Sequence, residues 1–154
     1  MTSPVALFLA DMKTLWEALT PPDETSTSYA QLVTGHDIGD PPGALATPGS
    51  STGHRTFWWS LALTCDPQYE AGAASTLCRW GLTALLMLRG EARTNKTQIR
   101  AIANETALLR RAVDKKASWS SGVREVVLGK VVSAENGLDA VVHFPFQVLT
   151  EETD

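Results

Sequence analysis

Apolar and polar residues alternate near the end of the chain, in the stretch 138–149. A period of two is typical of a β-strand with one face buried against a core. The stretch 123–132 is rich in valine, and Asn136-Gly137, which accepts the positive φ angles of a tight turn, lies between the two runs. The pattern predicts a hairpin with strands 123–132 and 138–149. Its buried face would carry Leu138, Ala140, Val142, Phe144, Phe146 and Val148.

Pro145 lies inside the second of these strands. Proline has no N–H to donate to a neighbouring strand, so it is confined to edge strands and bulges. We therefore expect this strand to be an edge of the sheet or to be bulged at Pro145. An edge would leave backbone groups open to another chain, which makes Pro145 a candidate interface residue.

The N-terminal apolar residues recur at helical spacing. Ser3 is a typical N-cap, and Pro4 stands at the first helical position. The pattern predicts an amphipathic helix that ends before Pro21-Pro22, and we interpret its apolar stripe as packing rather than as a ligand site. The stripe contains Val5, Phe8, Met12, Leu15, Trp16 and Leu19.

Two strands are predicted next, over 25–33 and over 55–64, because both stretches are rich in β-branched or aromatic residues. The second would pair centrally, with alternate residues on one face. That face would carry Phe57, Trp59, Leu61 and Leu63.

A helix is predicted over 67–89. Asp66 would be its N-cap, Pro67 its first residue and Gly90 its stop. The run is apolar almost all round, so we expect burial on more than one side.

A second, more polar helix is predicted over 94–116, with cations near its C-terminus where they suit the helix dipole. These cations are a candidate patch for an acidic partner, although a solvated helix end is the favoured interpretation. They are Arg110, Arg111, Lys115 and Lys116. Trp119 follows in a polar link, where it would cover the rim of the core or anchor another chain.

The stretch 35–53 is dense in Gly, Pro, Ser and Thr, and it predicts a long exposed loop. Loops of this length are usually functional or disordered. Its large apolar side chain, Leu45, is a candidate contact with a neighbour.

Composition narrows the function classes. The 154 residues carry a net charge of −4, which argues against direct nucleic-acid binding. No run is long enough to span a membrane, and no signal peptide is indicated, so we expect synthesis in the cytoplasm. For Cys65 and Cys78 we favour buried, reduced thiols over a bridge. His36, His54 and His143 are isolated, so we predict no metal and no cofactor.

Catalytic motifs are not apparent in the sequence. The carboxylates are scattered, no serine lies in a GxSxG elbow, and neither cysteine has a histidine near it in sequence. We therefore predict no enzyme activity. The alternative is a small-molecule-binding or enzymatic α+β domain, in which a helix over the sheet roofs a pocket lined by Trp58, Trp80 or Phe144.

The order of predicted elements resembles the tail terminator proteins of tailed bacteriophages. The likeness rests on the arginine-led strand RTFWWSLAL, the apolar helix predicted after Asp66-Pro67, and the closing GLDAVVHFPFQVLTE. It departs from that family in the helix over 94–116, because those proteins more often pass from one helix into the hairpin. A neighbouring neck component or a tube-derived protein of a contractile injection system is an alternative.

The element patterns predict one α+β domain over 1–154, with a mostly antiparallel sheet and helices on one face, and the resemblance implies the same fold. The resemblance also implies a hexameric ring in the virion that catalyses nothing, caps the tail tube and joins it to a head-completion or neck protein.

Overall fold

The computed structural model describes residues 2–19, 30–31, 55–68, 75–88, 95–136 and 139–153. Within these ranges the chain has the predicted α+β class, with helices packed on a mostly antiparallel sheet. The elements in chain order are α1 (Pro4–Glu17), β1 (Ala30–Gln31), β2 (Arg55–Trp59), β3 (Thr64–Gln68), β4 (Ser75–Leu88), α2 (Asn95–Lys115), β5 (Val123–Leu128), β6 (Val132–Asn136) and β7 (Asp139–Thr153).

Two long strands, β4 and β7, form the centre of the sheet and pair antiparallel along the whole of β4. Two shorter strands follow one another along the outer side of each. β2 and β3 line β4, while β5 and β6 line β7. The two-residue strand β1 adds to β2 in parallel. The central pair is therefore lined on each side by two strands in series, and β1 lies outside β2 on one of these sides.

The core lies between the helices and one face of the sheet. Phe8, Met12 and Trp16 of α1 are almost wholly buried there. Trp16 stacks on Phe57 with ring centroids 4.3 Å apart, and its edge meets Phe144 at 5.6 Å. Aromatic pairs of this geometry stabilise a core beyond the area they bury. The predicted packing role of the α1 stripe is confirmed.

The first helix begins as its sequence predicts. The Ser3 hydroxyl accepts a hydrogen bond from the Ala6 N–H at 3.3 Å, and Pro4 occupies the first turn. Asp11 accepts hydrogen bonds from the N–H and the hydroxyl of Ser120, both at 2.8 Å. These bonds tie α1 to the link between α2 and β5.

The helix predicted over 67–89 is wrong, because the chain forms β3 and then β4. β4 is buried on both sides along part of its length, with Leu86 in the main core and Met87 in a smaller cluster on the other face. A strand covered on both faces has the same continuous apolar composition as a buried helix, so periodicity cannot separate the two. Asp66 and Pro67 are not a helix start but lie exposed in β3.

The strand predicted over 55–64 is too long, since β2 ends at Trp59. Phe57 and Trp59 are buried as expected, whereas Leu61 and Leu63 are 69% and 47% exposed. The chain leaves the strand after Trp59, so the apolar–polar alternation beyond that residue no longer places side chains on one face of the sheet.

The closing hairpin is confirmed in its second strand, where the predicted residues from Ala140 to Val148 are buried on the helix side. Its first strand is divided into β5 and β6 by residues 129–131. β7 is central, so the expectation of a sheet edge at Pro145 is wrong. The break in regular pairing that we expected at Pro145 lies instead opposite it, between β5 and β6.

The second helix is confirmed as α2. Ile99, predicted to share its apolar line, is 68% exposed, while Leu109 and Val113 reach the core.

Of the strand predicted over 25–33, only Ala30–Gln31 lies in the described residues. The predicted loop 35–53, with Leu45, lies outside them.

Candidate interaction surfaces at the margins of the sheet

One row crosses the sheet from margin to margin through Thr83 of β4 and Pro145 of β7, which pair directly. At one end, the Thr83 carbonyl accepts a hydrogen bond of 2.9 Å from the Ser60 N–H. At the other, the Pro145 carbonyl accepts one of 2.8 Å from the Gly129 N–H. Both outer strands break at this row, β2 from β3 and β5 from β6.

Exposed apolar side chains flank both breaks. Leu61 and Leu63 lie in the link between β2 and β3, and we call this pair the leucine margin. Val127 of β5 and Val132 of β6, which are 43% and 52% exposed, flank the other break, and we call them the valine margin. Four of the five large apolar side chains that are exposed in the described part of the chain therefore lie at the two margins.

Arg110 holds the break at the valine margin. Gly129 donates to Pro145, but the return bond of an antiparallel pair cannot form because proline has no N–H. The guanidinium of Arg110 donates instead to the Gly129 carbonyl at 2.8 Å and to the Leu128 carbonyl at 3.0 Å. Hydrogen bonds from a charged donor are stronger than neutral ones. Arg110, proposed from sequence as an interface cation, thus serves a bond within its own chain.

The leucine margin is held by local bonds. The Ser60 hydroxyl accepts a hydrogen bond of 3.1 Å from the Ala62 N–H, and the Leu63 N–H donates to the Leu61 carbonyl at 3.0 Å. The link is thereby folded tightly over four residues, which turns Leu61 and Leu63 away from the core.

The other candidate residues lie at α2 and the link that follows. Arg111 and Lys115 are exposed on α2. The Lys116 ammonium lies 5.1 Å from the centre of the Trp119 ring, a cation–π distance. The Trp119 ring also contacts Phe8 at 5.4 Å, so it covers the rim of the core. The geometry favours the packing interpretation of Trp119 over that of an anchor.

Of the residues proposed to line an apolar pocket under the alternative function, Trp58 lies on the face of the sheet opposite to Trp80 and Phe144. Trp58 packs with Met87 and Val141 on one side of the sheet, while Phe144 belongs to the main core on the other. Because neighbouring residues of a strand point to opposite faces, these side chains cannot line one cavity.

A shallow cleft of about 440 Å³ lies where the start of α1 meets β5 and the end of β7. Arg124 and Glu151 in its wall form an ion pair. Gly122 has a φ of 88°, and a Cβ there would come within 2.7 Å of Pro4, so close packing requires glycine. The ion pair and the close contact give the cleft a structural role.

Cys65 is exposed on β3, and Cys78 is buried on β4. The expectation of two buried thiols is therefore wrong for Cys65. Burial raises the pKa of the Cys78 thiol, and the charge and hydrogen bond of Cys65 raise it further. The described residues contain no group of three or more His, Cys, Asp or Glu side chains that could hold a metal ion.

Sequence reasoning missed the margins themselves, because Leu61 and Leu63 were placed on one face of a continuous strand with Phe57 and Trp59. The available signal was Gly129 within a valine-rich strand, opposite a proline.

Neither helix in the described ranges is both long and apolar enough to cross a membrane. A scan against protein-family models finds no match, and a search of curated proteins finds no similar sequence.

Proposed function

We propose that this protein is a structural subunit of a phage tail, which assembles head to tail into a hexameric ring. The ring caps the tail tube and joins it to a head-completion or neck protein in the virion, without catalysis. The proposal is carried by one observation: the subunit presents two different apolar margins on opposite sides of one sheet. A ring built head to tail needs two unlike surfaces, whereas a two-fold dimer needs one.

The element order bears on the resemblance in two ways. Because residues 75–88 form the strand β4, α2 is the one helix between β4 and the closing strands β5 to β7 in the described part of the chain. The sequence pattern had indicated two helices there, which was its departure from tail terminators. The corrected order has one helix before the closing strands, as in that family, but it also removes the apolar helix after Asp66-Pro67, on which the resemblance partly rests.

The ring contact is weak in the isolated protein. A stable interface buries about 800 Å² per partner. Two apolar side chains on each margin supply only part of that area, so the remainder must come from neighbouring polar surface and backbone. We therefore expect a monomer in dilute solution and a ring on the end of a tail tube, where six contacts close at once.

The proposal is tested with two double variants, Leu61→Asp with Leu63→Asp and Val127→Asp with Val132→Asp. Each places charge on one margin, and each should abolish capping of purified tail tubes seen by electron microscopy. Ile99→Asp is the matched control, since Ile99 is equally exposed but lies on α2. It should cap like the parent, and thermal unfolding should show that all the variants fold.

Mixing the two double variants distinguishes a head-to-tail contact from a two-fold one. Each variant keeps one intact margin, so the mixture should form heterodimers that cannot grow, detected by chemical cross-linking on tubes. Capping at the parent level by both double variants would show that the margins are not the ring contact. A particle with a single copy would overturn the ring itself.

A further inference from the structure

The two cysteines are neighbours across β3 and β4. The register pairs Cys65 with Trp80 and Pro67 with Cys78. Cys65 and Cys78 are therefore diagonal neighbours on the same face of two adjacent antiparallel strands. The register therefore brings the two side chains close together across the strand pair.

The two thiols differ in access. Cys65 is exposed, whereas Cys78 is 8% exposed. A reagent in solution can reach the Cys65 sulfur directly, while Cys78 can react only with a group already attached at Cys65. This is the arrangement of an attacking thiol beside a resolving thiol.

The strand that carries Cys65 has little side-chain packing to oppose a small shift. Every side chain from Thr64 to Pro67 is exposed. In the described part of the chain, β3 is therefore held mainly by its backbone pairing with β4. Diagonal Cα atoms in a sheet are about 7–8 Å apart, slightly beyond the usual disulfide range of about 4.4–6.8 Å. A shift of β3 by about 1 Å would bring the thiols into bonding geometry without disturbing a packed side chain.

We propose that Cys65 and Cys78 form a reversible internal disulfide in exchange with a small-molecule disulfide such as oxidised glutathione. The Cys65 thiolate attacks one sulfur of glutathione disulfide, which breaks its S–S bond and releases one glutathione thiolate. The Cys78 thiolate then attacks the Cys65 sulfur of the mixed disulfide and expels the second glutathione. Two protein thiols are oxidised, the disulfide is reduced to two glutathiones, and the protons of Cys65 and Cys78 pass to them.

The bridge would fasten β3 to a buried position of β4, close to the leucine margin. β3 then has a covalent attachment in addition to its backbone bonds, so its amides should exchange with solvent more slowly. Because the bridge requires a shift of β3, it should be readily reduced by excess glutathione. The inference does not rest on the proposed ring.

To test the inference, the intact protein is treated with oxidised glutathione, and its mass is followed over time by mass spectrometry under non-reducing conditions. The parent should pass through a species with one glutathione at Cys65 and end with an internal bridge between Cys65 and Cys78. Cys78→Ser should stop at the mixed disulfide on Cys65, and Cys65→Ser should react at least about tenfold more slowly, because the remaining thiol is buried. In the bridged parent, hydrogen exchange in β3 should slow while exchange in β5 is unchanged.

Three results would overturn the inference. The parent could retain glutathione without forming the internal bridge, it could form dimers linked through Cys65, or Cys65→Ser could react at Cys78 as fast as the parent. If Cys78→Ser does not fold, the time course of the parent, with peptide mapping of the first modified thiol, decides between these outcomes.

Discussion

The two margins of the sheet break at the same row for different physical reasons. At the valine margin, Pro145 removes one backbone donor, and Arg110 reaches from α2 to supply another. At the leucine margin, the link folds on itself through the Ser60 hydroxyl and a Leu63 to Leu61 backbone bond. One break is held by a contact 19 residues away in sequence, and the other by bonds between near neighbours.

The difference indicates which margin tolerates change. A break that depends on a distant charged side chain is lost by a single substitution on another element. A break held by short-range bonds has several weaker supports, each worth about 1 kcal/mol or less. We therefore expect the valine margin to be the more sensitive of the two to substitution.

The largest effect should come from the core beneath both margins. Phe144 is fully buried, adjoins the Thr83–Pro145 row and contacts Trp16. Phe144→Ala should lower the free energy of unfolding by about 3–5 kcal/mol, because both transfer energy and packing are lost. Gln147→Ala, on the exposed side of the same strand, is the control and should change it by less than about 0.5 kcal/mol. A loss below about 1 kcal/mol in urea unfolding would contradict the packing.

Arg110→Met should remove about 1–2 kcal/mol, at the low end for a charged hydrogen bond because the side chain is half-exposed. Arg111→Met, its exposed neighbour, should be nearly neutral. Pro145→Ala restores an N–H that can donate to the Gly129 carbonyl. In a double-mutant cycle, Arg110→Met should therefore cost less by about 0.5–1 kcal/mol when Pro145→Ala is already present. Additive effects would show that Arg110 does not replace the missing donor.

Ser60→Ala should cost about 0.5 kcal/mol, because the lost bond to the Ala62 N–H is exposed and water can replace it. Hydrogen exchange of the link between β2 and β3 should rise, while that of Gly129 stays unchanged. Ser60→Thr, which keeps the hydroxyl, is the matched control. A loss as large as that of Arg110→Met would contradict the distinction between the two margins.

The smallest effect concerns pH at Cys78, beside the leucine margin. Its pKa in the folded protein is raised above the ordinary 9.0, chiefly by burial. The folded state holds this proton more tightly than the unfolded state, so the stabilisation is complete below about pH 9 and declines as pH rises through the folded pKa. The parent should lose more stability than Cys78→Ala between about pH 8 and pH 10.5 in thermal unfolding. Parallel curves for the two proteins would refute this linkage.

Elements with a one-sided pattern were predictable from the sequence. Ser3-Pro4 set the start of α1, and the alternation from Ala140 to Val148 set the buried face of β7, because each signal depends on neighbouring residues alone. The run 75–88 was mistaken for a helix because its apolar residues are covered from two sides. A continuous apolar run indicates that a segment is buried on more than one side, but it does not distinguish a buried strand from a buried helix.

Local patterns in the chain were enough to predict the α+β class, the extent of α2 and the side of β7 that faces the core. The folded arrangement was needed to learn that β7 is central, that Arg110 completes the backbone bonding opposite Pro145, and that Leu61 and Val132 lie at opposite margins. Strand order and long-range hydrogen bonds depend on which segments meet in space, and no local period of the chain encodes that choice.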